Sequence, residues 1–191
     1  MIVVKLGGSL AGGAALPAWL AALPGGRGRA VVVPGGGAFA DAVRAEQRRH
    51  GFSDRAAHRM GLLAMEQYGL MLVDLLPCLA PCRDEAAIRA ALAAGEVALW
   101  LPCEMAAADR AIPESWDVTS DSLAAWLAGR LGAARLVLVK SVAAPPKLEP
   151  ASLAAAGMVD PAFPRFLAAA GAALDWAGPG EADRLRRLLA A

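Results

Sequence analysis

The chain has 191 residues, with 19 lysines and arginines against 18 aspartates and glutamates, which gives a formal net charge of +1. Proteins that bind nucleic acids usually carry a basic excess on one face, so this composition argues against a nucleic-acid partner. Hydrophobic residues make up 57% of the sequence, which excludes a disordered chain and favours a heavily buried fold or a homo-oligomer.

The predicted elements alternate between short apolar runs ended by glycine or proline and longer segments with helical spacing. In chain order, the predicted strands span residues 2–6, 29–33, 97–101 and 135–140. The predicted helices span residues 17–23, 38–50, 55–76, 84–94 and 120–131, with an amphipathic end at 181–189. Residues 77–81 are predicted to break the long helix, residues 103–118 to be irregular, and the segment after residue 150 to be helical. The alternation of continuous apolar strands with helices predicts an α/β fold with a parallel sheet covered on both faces.

The length of the chain and the distribution of its apolar residues and cysteines also restrict its domain number, location and metal content. The sequence shows no linker and no internal repeat, so we expect a single domain over residues 1–191. No window reaches the roughly 18 apolar residues of a membrane span, and Lys5 interrupts the first apolar run, unlike a signal peptide. We therefore expect a cytoplasmic protein without membrane contacts. The cysteines Cys78, Cys82 and Cys103 lack the partners of a zinc site, so we assign no metal ligand and expect buried free thiols.

Three of the four predicted strands end in residues suited to binding phosphate. These ends are Lys5 with Gly7, Gly8 and Ser9, then Gly35, Gly36 and Gly37, and finally Lys140 with Ser141. Ligands of an open parallel sheet bind beyond the carboxyl ends of its strands, and glycine lets backbone amides come close to an anion. Two glycine loops and two lysines therefore predict adjacent phosphate sites, one for a donor nucleotide and one for an acceptor.

Other interpretations of these loops stay open. A glycine pair alone fits an ordinary strand-to-helix turn, and a lysine at a strand end fits a side chain that reaches solvent. The pattern Gly35-x-Gly37-x-x-Ala40 also fits a loose nicotinamide fingerprint, which requires an acidic residue at the end of the next strand. Asp54 and Glu66 lie near that spacing within a predicted helix, so the match is weak. A nicotinamide-dependent oxidoreductase is therefore the weakest hypothesis for the function of this chain.

The polar segment of residues 116–122 opens a predicted helix and precedes the fourth predicted strand. An acidic residue in the first helical turn complements the helix dipole and can cap the helix. Capping accounts for one of Asp117 and Asp121 and leaves the other unexplained. At the ligand-binding edge, a carboxylate would hold a lysine in place or bind magnesium.

Four segments together resemble the amino acid kinase superfamily: VVKLGGS at residues 3–9, VPGGGAF at 33–39, TSDS at 119–122 and LVK at 138–140. The resemblance extends to about residue 142 in the same order. It implies a three-layer αβα sandwich with a mainly parallel central sheet, and transfer of the ATP γ-phosphoryl, with Mg²⁺, to a carboxylate or phosphate. The implied roles are catalysis by Lys5, Asp121 and Lys140, nucleotide binding by Gly7, Gly8, Ser9, Lys140 and Ser141, and acceptor binding by Gly35, Gly36 and Gly37.

Differences between this sequence and other branches of the superfamily restrict the range of acceptor molecules that the resemblance implies. Isopentenyl phosphate kinases carry a histidine soon after the triple glycine, where this chain has Asp41, and uridylate kinases carry an aspartate in the segment that here spans 58–64. The late Gly-Gly-Met-x-x-Lys segment of many relatives has no counterpart, so Lys140 or Lys147 would supply the second lysine.

Residues 34–43, 58–68, 116–117 and 157–164 are most similar to the aminomethylfuran-methyl phosphate kinase branch of methanofuran biosynthesis and its methylotroph relatives. The substrate of that branch has a phosphate and a cationic amine. This implies that Asp41 or Asp117 pairs with the amine and that His58 contacts the accepting phosphate, although a helix histidine is more often structural. The leading hypothesis is a kinase that converts such a small phosphate monoester to its diphosphate. The alternative is a non-catalytic nucleotide-binding or storage protein on the same fold.

Overall fold

The computed structural model describes residues 1–10 and 12–190. Within this range, six short strands form one sheet: β1 (Ile2–Leu6), β2 (Ala30–Pro34), β3 (Leu79–Cys82), β4 (Val97–Trp100), β5 (Arg135–Val139) and β6 (Ala173–Ala177). Their order is β3-β4-β2-β1-β5-β6, and every pairing is parallel. All residues of β1 and β2 are buried, as expected for apolar strands covered on both faces.

Helices connect the strands. They are α1 (Leu16–Ala22), α2 (Gly37–His50), α3 (Asp54–Leu75), α4 (Glu85–Ala93), α5 (Cys103–Ala108), α6 (Ser120–Leu131), α7 (Pro150–Ala155), α8 (Phe163–Ala170) and α9 (Ala182–Ala190). Ser53 caps α3 by accepting a hydrogen bond from the Ala56 amide, and Gly51, in the left-handed conformation, ends α2. None of the described helices is both long enough and apolar enough to span a membrane.

Successive residues of each strand face opposite sides of the sheet, and each side has its own core. Val3 and Leu136 pack in one core with residues of α4, α6 and α8, whereas Val4 and Val137 pack in the other with residues of α1 and α9. The sheet therefore lies between two helical layers, and the predicted α/β sandwich is confirmed. Lys5 lies two residues after Val3 and therefore faces the same side of the sheet. Helix α6, which carries Asp121, covers that side.

The prediction that residues 77–81 break the long helix is confirmed, since α3 ends at Leu75, but the sequence analysis did not predict the edge strand β3 that begins within this segment. Pro81 pairs in register with Leu99 of β4. Proline cannot donate to a strand ladder, but an edge strand has one side without a neighbour and therefore tolerates it. Because Pro77 and Pro81 are typical of loops, the sequence of this segment did not indicate a strand, and its pairing with β4 is not visible in a local pattern.

The predictions of irregular structure over 103–118 and of helix throughout the segment after residue 150 were wrong in part. Residues Cys103–Ala108 form α5, and residues Ala173–Ala177 form the second edge strand, β6. Asp175 made the β6 sequence look unlike a buried strand. On this edge its carboxylate pairs with Arg135 of the neighbouring β5, which compensates its charge.

The three cysteines are free, as predicted, but only Cys82 is buried, and Cys78 and Cys103 are half-buried. Burial raises the pKa of Cys82 to about 11 and that of Cys103 to about 12. Both thiols are therefore protonated near neutral pH and unreactive as nucleophiles.

Candidate active site

A cleft of about 250 Å³ lies beyond the carboxyl ends of β1, β2 and β5, bordered by α2, α3 and the start of α6. This is the edge at which an open parallel sheet binds its ligands. Most of the residues singled out from the sequence line it. They are Lys5, Gly7, Gly8, Ser9, Gly36, Gly37, Asp41, His58 and Lys140.

The two glycine loops touch each other backbone to backbone. A Cβ atom on Gly8 would lie 2.3 Å from the Gly37 amide nitrogen, and one on Gly35 would lie 2.3 Å from the Gly8 nitrogen. Gly37 also has a φ of 52°, in the left-handed region that favours glycine. The loops thus form one continuous backbone surface rather than two separate cradles. Gly35 lies outside the cleft lining, where its lack of a side chain permits this contact.

Two lysines converge on one carboxylate beneath this surface. Lys5 Nζ lies 2.9 Å from Asp121 Oδ1, and Lys140 Nζ lies 2.6 Å from Asp121 Oδ2. Lys140 Nζ also donates a 2.8 Å hydrogen bond to the Met158 carbonyl oxygen. Lys5 and Asp121 are buried, although both lysines still line the cleft. We call these three residues the lysine–aspartate cluster.

The charges of the cluster are coupled. Burial by itself would raise the pKa of Asp121, but the ammonium groups of Lys5 and Lys140 hold that pKa below its usual value. Burial, followed by repulsion from Lys5, lowers the pKa of Lys140 to about 8, against the opposing attraction of Asp121. With both lysines protonated, the cluster has one positive charge in excess. It is therefore suited to bind and stabilise an anion at the floor of the cleft.

The structure also decides how the N-terminus of α6 is capped. The Thr119 side chain makes no capping hydrogen bond, and Asp121 points to the two lysines. The buried carboxylate of Asp160 accepts hydrogen bonds from the Thr119 amide at 3.0 Å and the Ser122 amide at 3.0 Å. The interpretation of Asp121 as a helix cap is therefore wrong, and the sequence analysis missed Asp160, which is distant in the chain.

The opposite wall of the cleft carries a second pair of charges. Arg44 Nη1 donates a 3.0 Å hydrogen bond to Asp41 Oδ1, and Arg44 Cζ lies 4.3 Å from the centroid of the Trp116 ring. The Trp116 indole N–H donates to Gln47 Oε1 at 2.6 Å, which fixes the ring against α2. The sequence analysis missed Arg44, although its position three residues after Asp41, on the same face of α2, could have indicated it.

His58 lines the cleft from α3 and is buried, and its Nε2 atom has no hydrogen-bond partner among the described residues. Burial lowers the pKa of His58, partly opposed by a hydrogen bond to the Ser115 backbone. The ring is therefore neutral near pH 7. A neutral imidazole brings no positive charge to a phosphate.

Two of the predicted site residues lie elsewhere. Ser141 is exposed outside the cleft lining, where it accepts a 2.9 Å hydrogen bond from Ser9 Oγ and ties the ends of β1 and β5 together. Asp117 is exposed and also absent from the lining, and its backbone carbonyl accepts a hydrogen bond from the Ala162 amide. In the part of the chain that the structure describes, no three His, Cys, Asp or Glu side chains group as a metal site.

Several solved structures share this fold. A uridylate kinase from Archaeoglobus fulgidus is 16% identical, with a TM-score of 0.71 over 98% of this chain and 94% of that one. A UMP kinase from Bacillus anthracis is also 16% identical, with a TM-score of 0.65 over 98% and 91%. An aspartate kinase from Synechocystis is 18% identical, with a TM-score of 0.62 over 93% of this chain and 37% of that one. Identities this low establish the fold alone.

No curated protein sequence matches the chain. A model of the amino acid kinase family, in contrast, matches residues 1–149. This range includes both glycine loops and the whole lysine–aspartate cluster, and it leaves the Met158 and Asp160 contacts outside. Because the match spans more than half of the sequence, the chain belongs to the amino acid kinase family.

Proposed function

We propose that this protein is an ATP-dependent kinase that transfers the γ-phosphoryl group to a small phosphate monoester and releases the diphosphate. The observation that carries the proposal is the lysine–aspartate cluster at the floor of the cleft. Phosphoryl transfer requires little covalent chemistry from a protein, which contributes positioning and positive charge. Membership of the amino acid kinase family supports a phosphotransferase.

In this proposal, an oxygen of the acceptor phosphate forms the new bond to the γ-phosphorus. The bond between that phosphorus and the β–γ bridging oxygen breaks, and ADP leaves with the electron pair. Lys5 stabilises the charge on the phosphoryl group in transit, and Lys140 contacts the nucleotide phosphates. Asp121 holds both ammonium groups in position. The Gly7 amide is bound to the Val139 carbonyl oxygen, so the backbone amides of Gly8 and Ser9, which line the cleft, supply hydrogen bonds for the phosphate chain.

The site fits a nucleotide phosphate chain better than a metal ion held by the protein alone. Both oxygens of Asp121 are taken by lysines, and Asp41 is the one carboxylate among the described residues that line the cleft, too few ligands for a cation site built from protein alone. Mg²⁺ often keeps several waters and binds through substrate phosphates. We therefore expect Mg²⁺ to enter with ATP and to neutralise part of the phosphate charge.

The opposite wall supports an acceptor with charges of both signs. The Arg44 guanidinium matches a phosphate, and the Asp41 carboxylate matches a cationic amine. Trp116 adds a flat aromatic surface beside them. An aminomethylfuran-methyl phosphate, of the methanofuran type of one-carbon metabolism, combines these three features. We propose this compound class as the acceptor, with Asp41 rather than the outlying Asp117 binding the amine.

Phosphorus NMR tests the proposal directly. The protein is incubated with ATP, Mg²⁺ and one acceptor at a time, from a panel of an aminomethylfuran-methyl phosphate, isopentenyl phosphate, UMP, acetylglutamate and aspartate. We expect two new coupled doublets of a diphosphate with the amine-bearing phosphate, and only background ATP hydrolysis without an acceptor. An acyl phosphate from a carboxylate acceptor would contradict the proposed acceptor class. Binding of ATP without a product from any acceptor would favour the non-catalytic alternative.

We also propose that two copies of this chain associate through α3. Its outer face carries the exposed residues Met60, Leu63 and Leu70, and Phe39 of α2 lines an apolar groove together with Met60 and Leu63. Exposed apolar patches of this kind often mark protein interfaces. If two α3 helices pack antiparallel about the midpoint between positions 66 and 67, Leu63 faces Leu70 of the second copy. The same register places the exposed Arg59 opposite Asp74 of the second copy, so the face matches apolar residues with apolar residues and opposite charges with each other.

A further inference from the structure

The short connection between α7 and α8 contacts both Lys140 and the N-terminus of the helix that carries Asp121. Its Met158 carbonyl oxygen accepts a hydrogen bond from Lys140 Nζ at 2.8 Å. Two residues later, the buried Asp160 carboxylate receives four hydrogen bonds from the start of α6. They come from the amide and hydroxyl groups of Thr119 and from those of Ser122. One connection thus touches Lys140 directly and the helix that carries Asp121.

This connection is fixed within the fold. Val159 and Phe163 are buried in the same core as α6. The Met158 amide donates to the Leu153 carbonyl oxygen at 2.9 Å, and the Phe163 amide donates to the Asp160 carbonyl oxygen at 3.1 Å. A rigid connection can hold the groups it contacts in position.

We propose that Asp160 is a positioning residue for phosphoryl transfer, which holds the first turn of α6 so that Asp121 meets Lys5 and Lys140 together. This inference rests on the proposed kinase function. A carboxylate is suited to the task because it accepts hydrogen bonds from several donors at once, and bonds to a charged acceptor are stronger than neutral ones. Asp121 is the second residue of α6, so a shift of this turn moves its carboxylate with it.

Asp160 also acts on Lys140 through its charge. The groups that set the charge of Lys140 are the Lys5 ammonium on β1, the Asp121 carboxylate on α6 and the Asp160 carboxylate. Burial and Lys5 lower the pKa of Lys140 to about 8, and Asp121 and Asp160 oppose this. A purely structural cap, remote from Lys140, would have no such effect. The titration of Lys140 therefore separates positioning of the cluster from mere support of the helix.

The test compares three variants of the full chain. Asp160→Asn keeps the shape of the side chain, and the Ser122 hydroxyl can turn to accept from the new amide, so this variant is expected to fold. Asp160→Ala removes all four hydrogen bonds. The control is Asp84→Asn, which alters an aspartate that caps α4 through the Ala87 amide, away from the cleft. For each protein, kcat, the acceptor KM and the pH dependence of kcat/KM are measured, and the Lys140 Cε signal is titrated by carbon NMR.

We expect Asp160→Ala to lower kcat about 100-fold, the scale typical of a misplaced catalytic group, with a smaller change in KM. Wild-type kcat/KM should fall as the pH rises through about 8, because Lys140 loses its proton. In Asp160→Asn this fall and the Lys140 titration should both move to lower pH, whereas Asp84→Asn should match the wild type.

An Asp160→Asn variant with unchanged kcat and unchanged Lys140 titration would overturn the inference. If the wild type phosphorylated no acceptor while the titration still moved in Asp160→Asn, the proposed function would fail and the effect of the Asp160 charge on Lys140 would stand.

Discussion

Lys5 sits where the end of β1 meets the cleft, and its ammonium group is one of the two that Asp121 holds. Lys5→Met removes this charge and keeps most of the length of the side chain. We expect kcat to fall on the order of 100-fold, because the charge matters most when the phosphoryl group is in transit. ATP affinity should change much less, since the loop backbones and Lys140 remain. Isothermal titration and steady-state kinetics on the same protein check both expectations, and a variant with normal kcat would remove Lys5 from the mechanism.

The sequence predicted the residues of the candidate site best where a charged side chain lies at or near the end of a predicted strand. Lys140 ends a predicted strand and Lys5 lies one residue before the end of another, and the structure brings both to Asp121. Arg44 and Asp160 were missed for different reasons. Arg44 is one of several arginines on an exposed helix, and although its spacing from Asp41 was visible in the sequence, its place over Trp116 is visible only in three dimensions. Asp160 acts on residues 38 and 41 positions earlier in the chain, a distance that local patterns do not span.

The backbone contact between the two glycine loops determines how closely the ends of β1 and β2 can approach. Gly8→Ala would place a Cβ atom 2.3 Å from the Gly37 nitrogen, so one loop must move. We expect a loss of about 1–3 kcal/mol in the free energy of unfolding, as for other overpacked positions. Gly12→Ala is the matched control, because a Cβ atom there meets nothing within 4 Å. Urea denaturation measures both variants, and equal stabilities would show that the loops do not constrain each other.

The elements themselves were predictable wherever an apolar run or a helical period was long and uninterrupted. The bounds of β1, α2 and α3 agree with the sequence prediction to within one residue. The strands that were missed, β3 and β6, are the two edge strands of the sheet. An edge strand has a neighbouring strand on one side only, so it tolerates residues such as Pro81 and Asp175. The sequence of such a strand therefore lacks the continuous apolar run that indicates a buried strand.

We expect the protein to be a dimer in solution. Light scattering after gel filtration should give twice the chain mass for the wild type and one chain mass for Leu63→Glu. Val142→Glu should stay dimeric, because Val142 is comparably exposed but lies outside the α3 face. Arg59→Asp should weaken the dimer, and the double variant with Asp74→Arg should restore it, because the pair is reversed. A monomeric wild type at high micromolar concentration would contradict the proposed face.

Asp121 is central to the proposed activity, because it holds two lysines at the floor of one cleft. The most direct test is the rate of phosphoryl transfer by Asp121→Asn, measured beside its ATP affinity and well below its unfolding temperature, since removing one partner of a buried ion pair also costs stability. We predict that transfer falls about 100-fold or more, because the lysines lose the charge that orients them. ATP should bind as well as before or more tightly, because the cluster gains net positive charge. A variant that transfers phosphoryl groups at the wild-type rate would contradict the central role of this cluster.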